Sequence, residues 1–177
     1  MIWPTGSSAD FGASVLTSAG RSNRRDSGLL AALAGALSPN AVRALNKGAK
    51  AGGFAHDTGE GGLSPYHREN GGDIIWEIGS GYFGARHPDG TFSPDRFEET
   101  ARLDQVKMVE LKLSQGAKPG HGGVLPAAKV SEEISRIRGV AMGADCISPA
   151  YHRAFSTPLE ICLRLERHFF RRVVVTR

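Results

Sequence analysis

The sequence lacks what a disulfide-built, metal-clustered or membrane-spanning protein needs. Its 177 residues include two cysteines, Cys146 and Cys162, too few for a disulfide framework, an all-cysteine zinc site or an iron-sulfur cluster. A reducing, cytoplasmic setting is therefore the expectation. The longest apolar run, Leu29 to Leu37, is alanine-rich and broken by Gly35. It falls well short of the roughly 20 residues that cross a bilayer, so a soluble chain with no membrane partner is expected. The six histidines, His56, His67, His87, His121, His152 and His168, show no HxxxH or HExxH spacing, and no metal site is expected.

A net positive field is also missing where a binding surface would need it. The chain carries a formal +4, yet residues 36 to 159 hold fourteen basic and fourteen acidic side chains. The excess sits at the ends, mainly in Arg164, Arg167, Arg171, Arg172 and Arg177. Charge on a helix end and tail without an aromatic stacking platform is ordinary solvation, and nucleic acid is not an expected partner. Arg21, Arg24 and Arg25 ahead of LLAALAGAL have the outline of a leader peptide, but the run begins nearly thirty residues in and leads into helix grammar at Ser38.

What is present is glycine and capping chemistry. Fifteen of the 23 glycines lie between Gly52 and Gly123, which marks that region as rich in loops. Ser38-Pro39 opens a helix that Gly48 can close, with Val42 and Leu45 on its buried face and Arg43 and Lys47 outside. Ser93-Pro94 opens a second through Phe97. Ser131 caps a third, with Glu132 and Glu133 in the first turn and Gly139 as terminator. Thr157-Pro158-Leu159-Glu160 is a capping box that starts a fourth. Asp73 to Ile78 and Val106 to Leu113 read as strands. Alternating strands and helices predict an α/β fold with parallel strands, and the glycine-rich segments then fall at the strands' C-terminal ends, where such folds build their sites.

Three segments carry candidate chemistry. Gly79-Ser80-Gly81-Tyr82-Phe83-Gly84 is a literal GxGxxG after a strand, but Arg86-His87-Pro88-Asp89-Gly90 follows it with a turn where a dinucleotide site needs a helix. A tight loop that lets the backbone approach a ligand or neighbouring strand is the better reading. Gly59-Glu60-Gly61-Gly62, followed by Ser64-Pro65-Tyr66, is a second loop; Glu60 either takes part in proton transfer, orders a ligand or is simply solvated. In Glu110 to Gly123, strand parity sets Val109, Leu111 and Leu113 on one face and Glu110, Lys112 and Ser114 on the other. Those charges form either a Glu110 to Lys112 contact at a solvated strand end or, with Gln115 and Lys118, a cationic glycine-lined pocket for an anion.

Long strings of the chain resemble a known family. LSPNAVRALNKGAK (37 to 50), GGFAHDTGEGGLSPYHRENGGDIIWEIGSGYFG (52 to 84), VKMVELKLSQGAKPGHGGVLPAAKV (106 to 130) and the stretch from Gly139 to Thr157 are similar to the FMN-binding domain of glutamate synthase and its stand-alone relatives. The resemblance runs from Leu37 to Leu159. It implies a (β/α)8 barrel with FMN at the C-terminal strand ends. In that family, ammonia from glutamine condenses with 2-oxoglutarate, and reduced flavin passes a hydride to the resulting 2-iminoglutarate to give glutamate.

Carried over by position, the resemblance makes Lys112, Gln115 and Lys118 flavin or 2-oxoglutarate contacts, Gly61 and Gly62 part of the cofactor loop, and Glu60 and Lys112 the groups nearest the chemistry. It also implies glutaminase and electron-donor partners.

The chain departs from the family too. A full barrel takes about 250 residues, and the matched part supplies only the opening portion, without the later phosphate loops. The family's iron-sulfur ligands have no counterpart, since Cys146 lies in another motif and Cys162 outside the resemblance. The expected organisation is a poorly ordered, non-family segment at 1–35, a partial FMN-binding barrel domain at 36–159 and a basic, non-family tail at 160–177. That organisation fits a truncated TIM barrel, as from a gene fragment or a frame shifted at each end. The alternatives to an active enzyme are an inactive remnant or a subunit needing a complementing chain.

Overall fold

A computed structural model describes residues 38–113, 120–157 and 159–160, together with the backbone of 172–176. Helix α1 (Pro39–Gly52) begins where Ser38 accepts the Ala41 N–H at 3.3 Å, with Pro39 in its first turn. It does not stop at Gly48. The exposed Gly48 is carried along by the strong helix formers Ala49, Lys50 and Ala51, and the chain turns only at Gly53, whose φ of 71° is left-handed and whose N–H caps the Ala49 carbonyl. Val42, Asn46 and Ala49 are the buried positions, while Leu45 is half-buried.

The chain then alternates strand and helix: β1 (Ala55–Asp57), α2 (Pro65–Arg68), β2 (Asp73–Ile78), α3 (Pro94–Ala101) and β3 (Val106–Lys112). The stretch at Ser64-Pro65-Tyr66, expected as loop, is the start of the single-turn α2, in which the Ser64 N–H donates to His67 Nδ1 at 3.1 Å. After β3 come β4 (Gly123–Leu125), a 3-10 turn (Ala127–Lys129), α4 (Glu132–Arg138) and β5 (Cys146–Ser148); β6 (Arg172–Thr176) is the last strand described. The caps at Ser93 and Ser131 fall where the sequence predicts, and Gly139 ends α4 with φ 66°. Of the fourth expected helix, the Glu160 N–H bonded to Thr157 Oγ1 at 3.2 Å is seen, and the remainder lies outside the described residues.

Strands β1, β2, β3 and β6 form one parallel sheet in that order, with Asp57 opposite Ile75, Glu77 opposite Glu110 and Glu110 opposite Val174. Strands β4 and β5 pair antiparallel in a separate ribbon. The fold is thus a mixed α/β arrangement of parallel strands and helices, as the alternating pattern predicts. The residues 172–176, read from sequence as part of a basic tail, supply the backbone of the fourth strand in the sheet.

Period-two alternation gives the sheet two unlike faces. Ile74, Trp76 and Ile78 of β2 join Val109 and Leu111 of β3 in the main core, closed by Phe97 of α3, which stacks on Trp76 at 5.2 Å. The intervening positions Glu77, Glu110 and Lys112 lie on the other face. A smaller core of Phe83, Val130 and Cys146 sits under the β4–β5 ribbon, where Arg138 lies over the Phe83 ring at 4.8 Å. No helix among the described residues is long and apolar enough to cross a membrane.

Candidate strand-end site

The candidate site is assembled where β1, β2 and β3 end. At β1, Asp57 Oδ1 accepts the Gly59 N–H at 2.6 Å, which bends the chain into the Gly59–Gly62 loop. Thr58, fully buried, fastens this bend to β2: its N–H donates to the Ile75 carbonyl, and its hydroxyl accepts the Glu77 N–H, both at 3.0 Å. The loop lays Glu60 directly over Gly79. A Cβ on Gly79 would stand 3.2 Å from Glu60 Cβ and 3.3 Å from Glu60 Oε2, so a side chain at 79 would press on Glu60 and ask it to give by a few tenths of an ångström.

Lys112, the last residue of β3, then reaches across the strands. Its Nζ lies 3.3 Å from Glu60 Oε2 and 3.7 Å from Glu77 Oε1. Beneath it, carboxylate oxygens of Asp57, Glu77 and Glu110 all lie within 4.8 Å of one another, each residue buried. Burial disfavours their charged forms. It pushes the Asp57 carboxyl up to about 8 against the pull of the Gly59 N–H, with Glu77 and Glu110 pushing the same way. Burial also raises Glu77 to about 7; the Lys112 ammonium opposes this, while Glu110 and Glu60 add to it. The cluster therefore retains protons near neutrality, and a protonated Asp57 can donate to Glu110.

The structure brings Glu60 and Lys112 together, although 52 positions separate them in the chain. Gly61 and Gly62 are buried in the same loop, and Gly62, at φ 92°, runs against the Phe83 backbone. Gln115 and Lys118 lie outside the described residues. Lys112 pairs across strands, to Glu60 and Glu77. The described portion is more acidic than a cationic pocket: Glu60 and Glu77 flank the ammonium, and Glu77 is clustered with Asp57 and Glu110.

Asp57, Glu77 and His152 escaped the sequence reading. Alternation within Asp73-Ile74-Ile75-Trp76-Glu77-Ile78 would have put Glu77 on the face opposite Trp76, but nothing local said which charges lay beside it. The GxGxxG segment forms a tight loop, as expected: Tyr82 N–H bonds to the Gly79 carbonyl, Ala85 N–H to the Tyr82 carbonyl, and the next helix is α3, beginning at Pro94. Cys146 is buried, with the Arg138 guanidinium donating to its sulfur at 3.6 Å.

A family model described as the conserved region in glutamate synthase matches residues 29–166. This extends past the resemblance legible in the sequence on both sides and takes in Cys162, which that resemblance left out. A glutamate synthase large subunit-like protein, YerD of Bacillus subtilis, is 48% identical over 134 residues, covering 75% of this chain and 25% of the relative. The archaeal-type NADPH glutamate synthase of Thermotoga maritima is 41% identical over 118 residues, covering 67% of this chain and 21% of the relative. The large chain of an NADPH glutamate synthase from Azospirillum brasilense is 39% identical over 125 residues, covering 67% and 7% respectively. The chain thus spans a quarter or less of the length of these relatives. With a family match over residues 29–166, these strand-end loops belong to a member of the glutamate synthase family.

Proposed function

We propose that this chain carries the opening strands of a flavin-binding (β/α)8 barrel and contributes one wall of a site for reductive amination of 2-oxoglutarate to glutamate. The observation that carries this reading is the apposition of Lys112 and Glu60 at the C-terminal ends of parallel strands, at 3.3 Å. The parallel order β1, β2, β3 supports the barrel reading. Since the chain spans a quarter or less of its relatives, the rest of the barrel and the ammonia-generating and electron-donating partners belong to other polypeptide, in the same protein or a complementing chain.

The donor set fits FMN in part. Lys112 puts a hydrogen-bond donor at the strand ends, which suits the polar edge of a flat ring, and the neighbouring loop carries Gly61 and Gly62 without side chains. An ammonium flanked by two carboxylates, one of them clustered with two more, does not suit a phosphate, which is assigned instead to Gln115, Lys118 and the later strands. Bound FMN would supply the hydride. Lys112 would donate hydrogen bonds to the carboxylate or keto oxygen of 2-oxoglutarate, orienting it and stabilising charge on that oxygen. Glu60 would accept a proton or hold an ammonium group, and the proton kept on Asp57 or Glu77 lets the cluster buffer that transfer.

Titration of the full chain with FMN, followed by flavin fluorescence and visible absorbance, tests the reading. Saturable quenching that weakens in Lys112→Met is the expected result. A wild-type chain that leaves the flavin spectrum unchanged overturns flavin binding by this chain alone and favours the second reading, a remnant competent only with a complementing chain.

A further inference from the structure

Lys112 is held at its backbone as well as at its ammonium. Its pairing with β2 has ended by this point, because the last β2 partner is Ile78 opposite Leu111. The Lys112 carbonyl lies 2.7 Å from His152 Nε2, in the loop that follows β5. On the far side of the ring, His152 Nδ1 lies 3.1 Å from Tyr82 Oη, and the Ala154 N–H donates to that same hydroxyl at 3.0 Å. Phe155 stacks on the imidazole at 4.6 Å with 20° between the planes. The same loop is tied to the strand-end turn by the Ser80 hydroxyl, which donates to the Pro149 carbonyl.

The two ends of this relay fix its direction. A carbonyl can only accept and a peptide N–H can only donate. His152 Nε2 must therefore carry the proton given to Lys112, which leaves Nδ1 in the neutral ring to accept from the Tyr82 hydroxyl. Tyr82 Oη in turn takes the Ala154 N–H. The order is Ala154 N–H to Tyr82 Oη, Tyr82 O–H to His152 Nδ1, and His152 Nε2–H to the Lys112 carbonyl. Burial favours the neutral imidazole that this order requires, with the Lys112 carbonyl pulling the other way. Tyr82 itself sits at φ 51°, the one non-glycine residue with positive φ among the described residues. A side chain costs something there, and the hydroxyl's place in the relay is a reason for the backbone to hold it.

We propose that His152, fixed in its Nε2–H tautomer by the Lys112 carbonyl and backed at Nδ1 by the Tyr82 hydroxyl, is a positioning residue that sets the end of β3 so that the Lys112 ammonium faces Glu60 and Glu77. This assignment rests on the reading of Lys112 as a ligand-facing group only for its functional consequence; the positioning itself does not. His152 touches no reacting atom. It acts through the backbone of Lys112, much as an outer partner orients a ligating side chain.

Three readouts on the full chain test it. Nitrogen-15 chemical shifts of the His152 ring should report the Nε2–H tautomer in the wild type, and in Tyr82→Phe, a variant that keeps the ring and loses only the hydroxyl, the same tautomer with its Nδ1 resonance moved by loss of the donor. A Nδ1–H ring in the wild type overturns the proposal. The carbon-13 chemical shift of Lys112 Cε, which reports the surroundings of the ammonium, should move in His152→Leu and return most of the way in His152→Gln, which retains an amide donor. If His152→Leu lowers the melting temperature but leaves the Lys112 Cε resonance where it was, the role is structural only and the proposal falls. FMN affinity should drop by up to about tenfold in His152→Leu, the weight of one hydrogen bond. If Lys112→Met binds FMN as the wild type does, the flavin-site reading fails while the tautomer and the Lys112 Cε resonance still decide the positioning role.

Discussion

The two faces of the parallel sheet are made from alternate residues of the same strands and obey opposite rules. On one, Ile74, Trp76, Ile78, Val109 and Leu111 bury apolar surface against Phe97. On the other, Asp57, Glu77 and Glu110 are just as buried but are carboxylates, with Lys112 paired to Glu60 and Glu77 at the rim. The first face gains free energy by leaving water; the second gives some back, because desolvated charges recover only part of their hydration from one another. A strand can be buried on both sides for two reasons, and here one side holds the fold and the other holds a concentration of reactive groups.

The comparison can be broken most severely from the apolar side. Trp76→Ala should destabilise by about 3–5 kcal/mol, a large part of the reserve of a domain this size, and denaturant unfolding should show a lowered midpoint or no folded baseline. On the acidic face, Lys112→Met leaves Glu60 and Glu77 without the ammonium they share and should cost about 1–3 kcal/mol, less than a fully buried pair because Lys112 retains some exposure. Adding Glu77→Gln should restore most of that loss; a double variant no more stable than Lys112→Met would show that charge balance is not what the lysine provides.

The pH dependence separates the faces by sign. Asp57 and Glu77 have folded values of about 8 and about 7, above the ordinary 3.8 and 4.5. Their contribution is complete below the ordinary values and is lost as pH rises through the folded ones, since the unfolded chain releases those protons first. His56, on the apolar face, is shifted the other way by burial. Its contribution is present above 6.5 and is lost as pH falls through its lowered folded value. Urea midpoints against pH should therefore decline at both ends; Asp57→Asn should flatten the alkaline limb and His56→Phe the acid one. The smallest effect should come from Glu69→Gln, which breaks the pair with Arg43 at the solvent-exposed edge of α1 and should give a salt-sensitive shift close to the error of a melting curve.

What the sequence disclosed about this fold was mostly local. Ser38-Pro39, Ser93-Pro94 and Ser131 announce helix starts because a cap and the donors it satisfies lie within three residues. β2 and β3 were legible from their β-branched and aromatic content. β1 was not: Ala55-His56-Asp57 has too few apolar residues to declare a strand, and it forms because β2 offers a partner edge. β4 and β5 are three residues each and depend on one another.

The site follows the same division. Glu60 and Lys112 were picked out by loop and strand chemistry, and the structure sets them 3.3 Å apart. Asp57, Glu77 and His152 gain their meaning from register and from loops far along the chain, and no local pattern carries that information. Asn46 is a further instance: it looks like an ordinary helix residue, yet it exchanges hydrogen bonds with both backbone groups of Gly72, at 3.1 and 3.4 Å.

Gly79 gives the arrangement a particular sensitivity. The spacing between the first loop and the end of the second strand is gauged by a carbon atom that is not there. Any residue other than glycine brings that atom to 3.2 Å from Glu60 Cβ and asks the side chain to give by a few tenths of an ångström. A methyl group at position 79 thus nudges the carboxylate that grips the lysine, a fine adjustment of that pair.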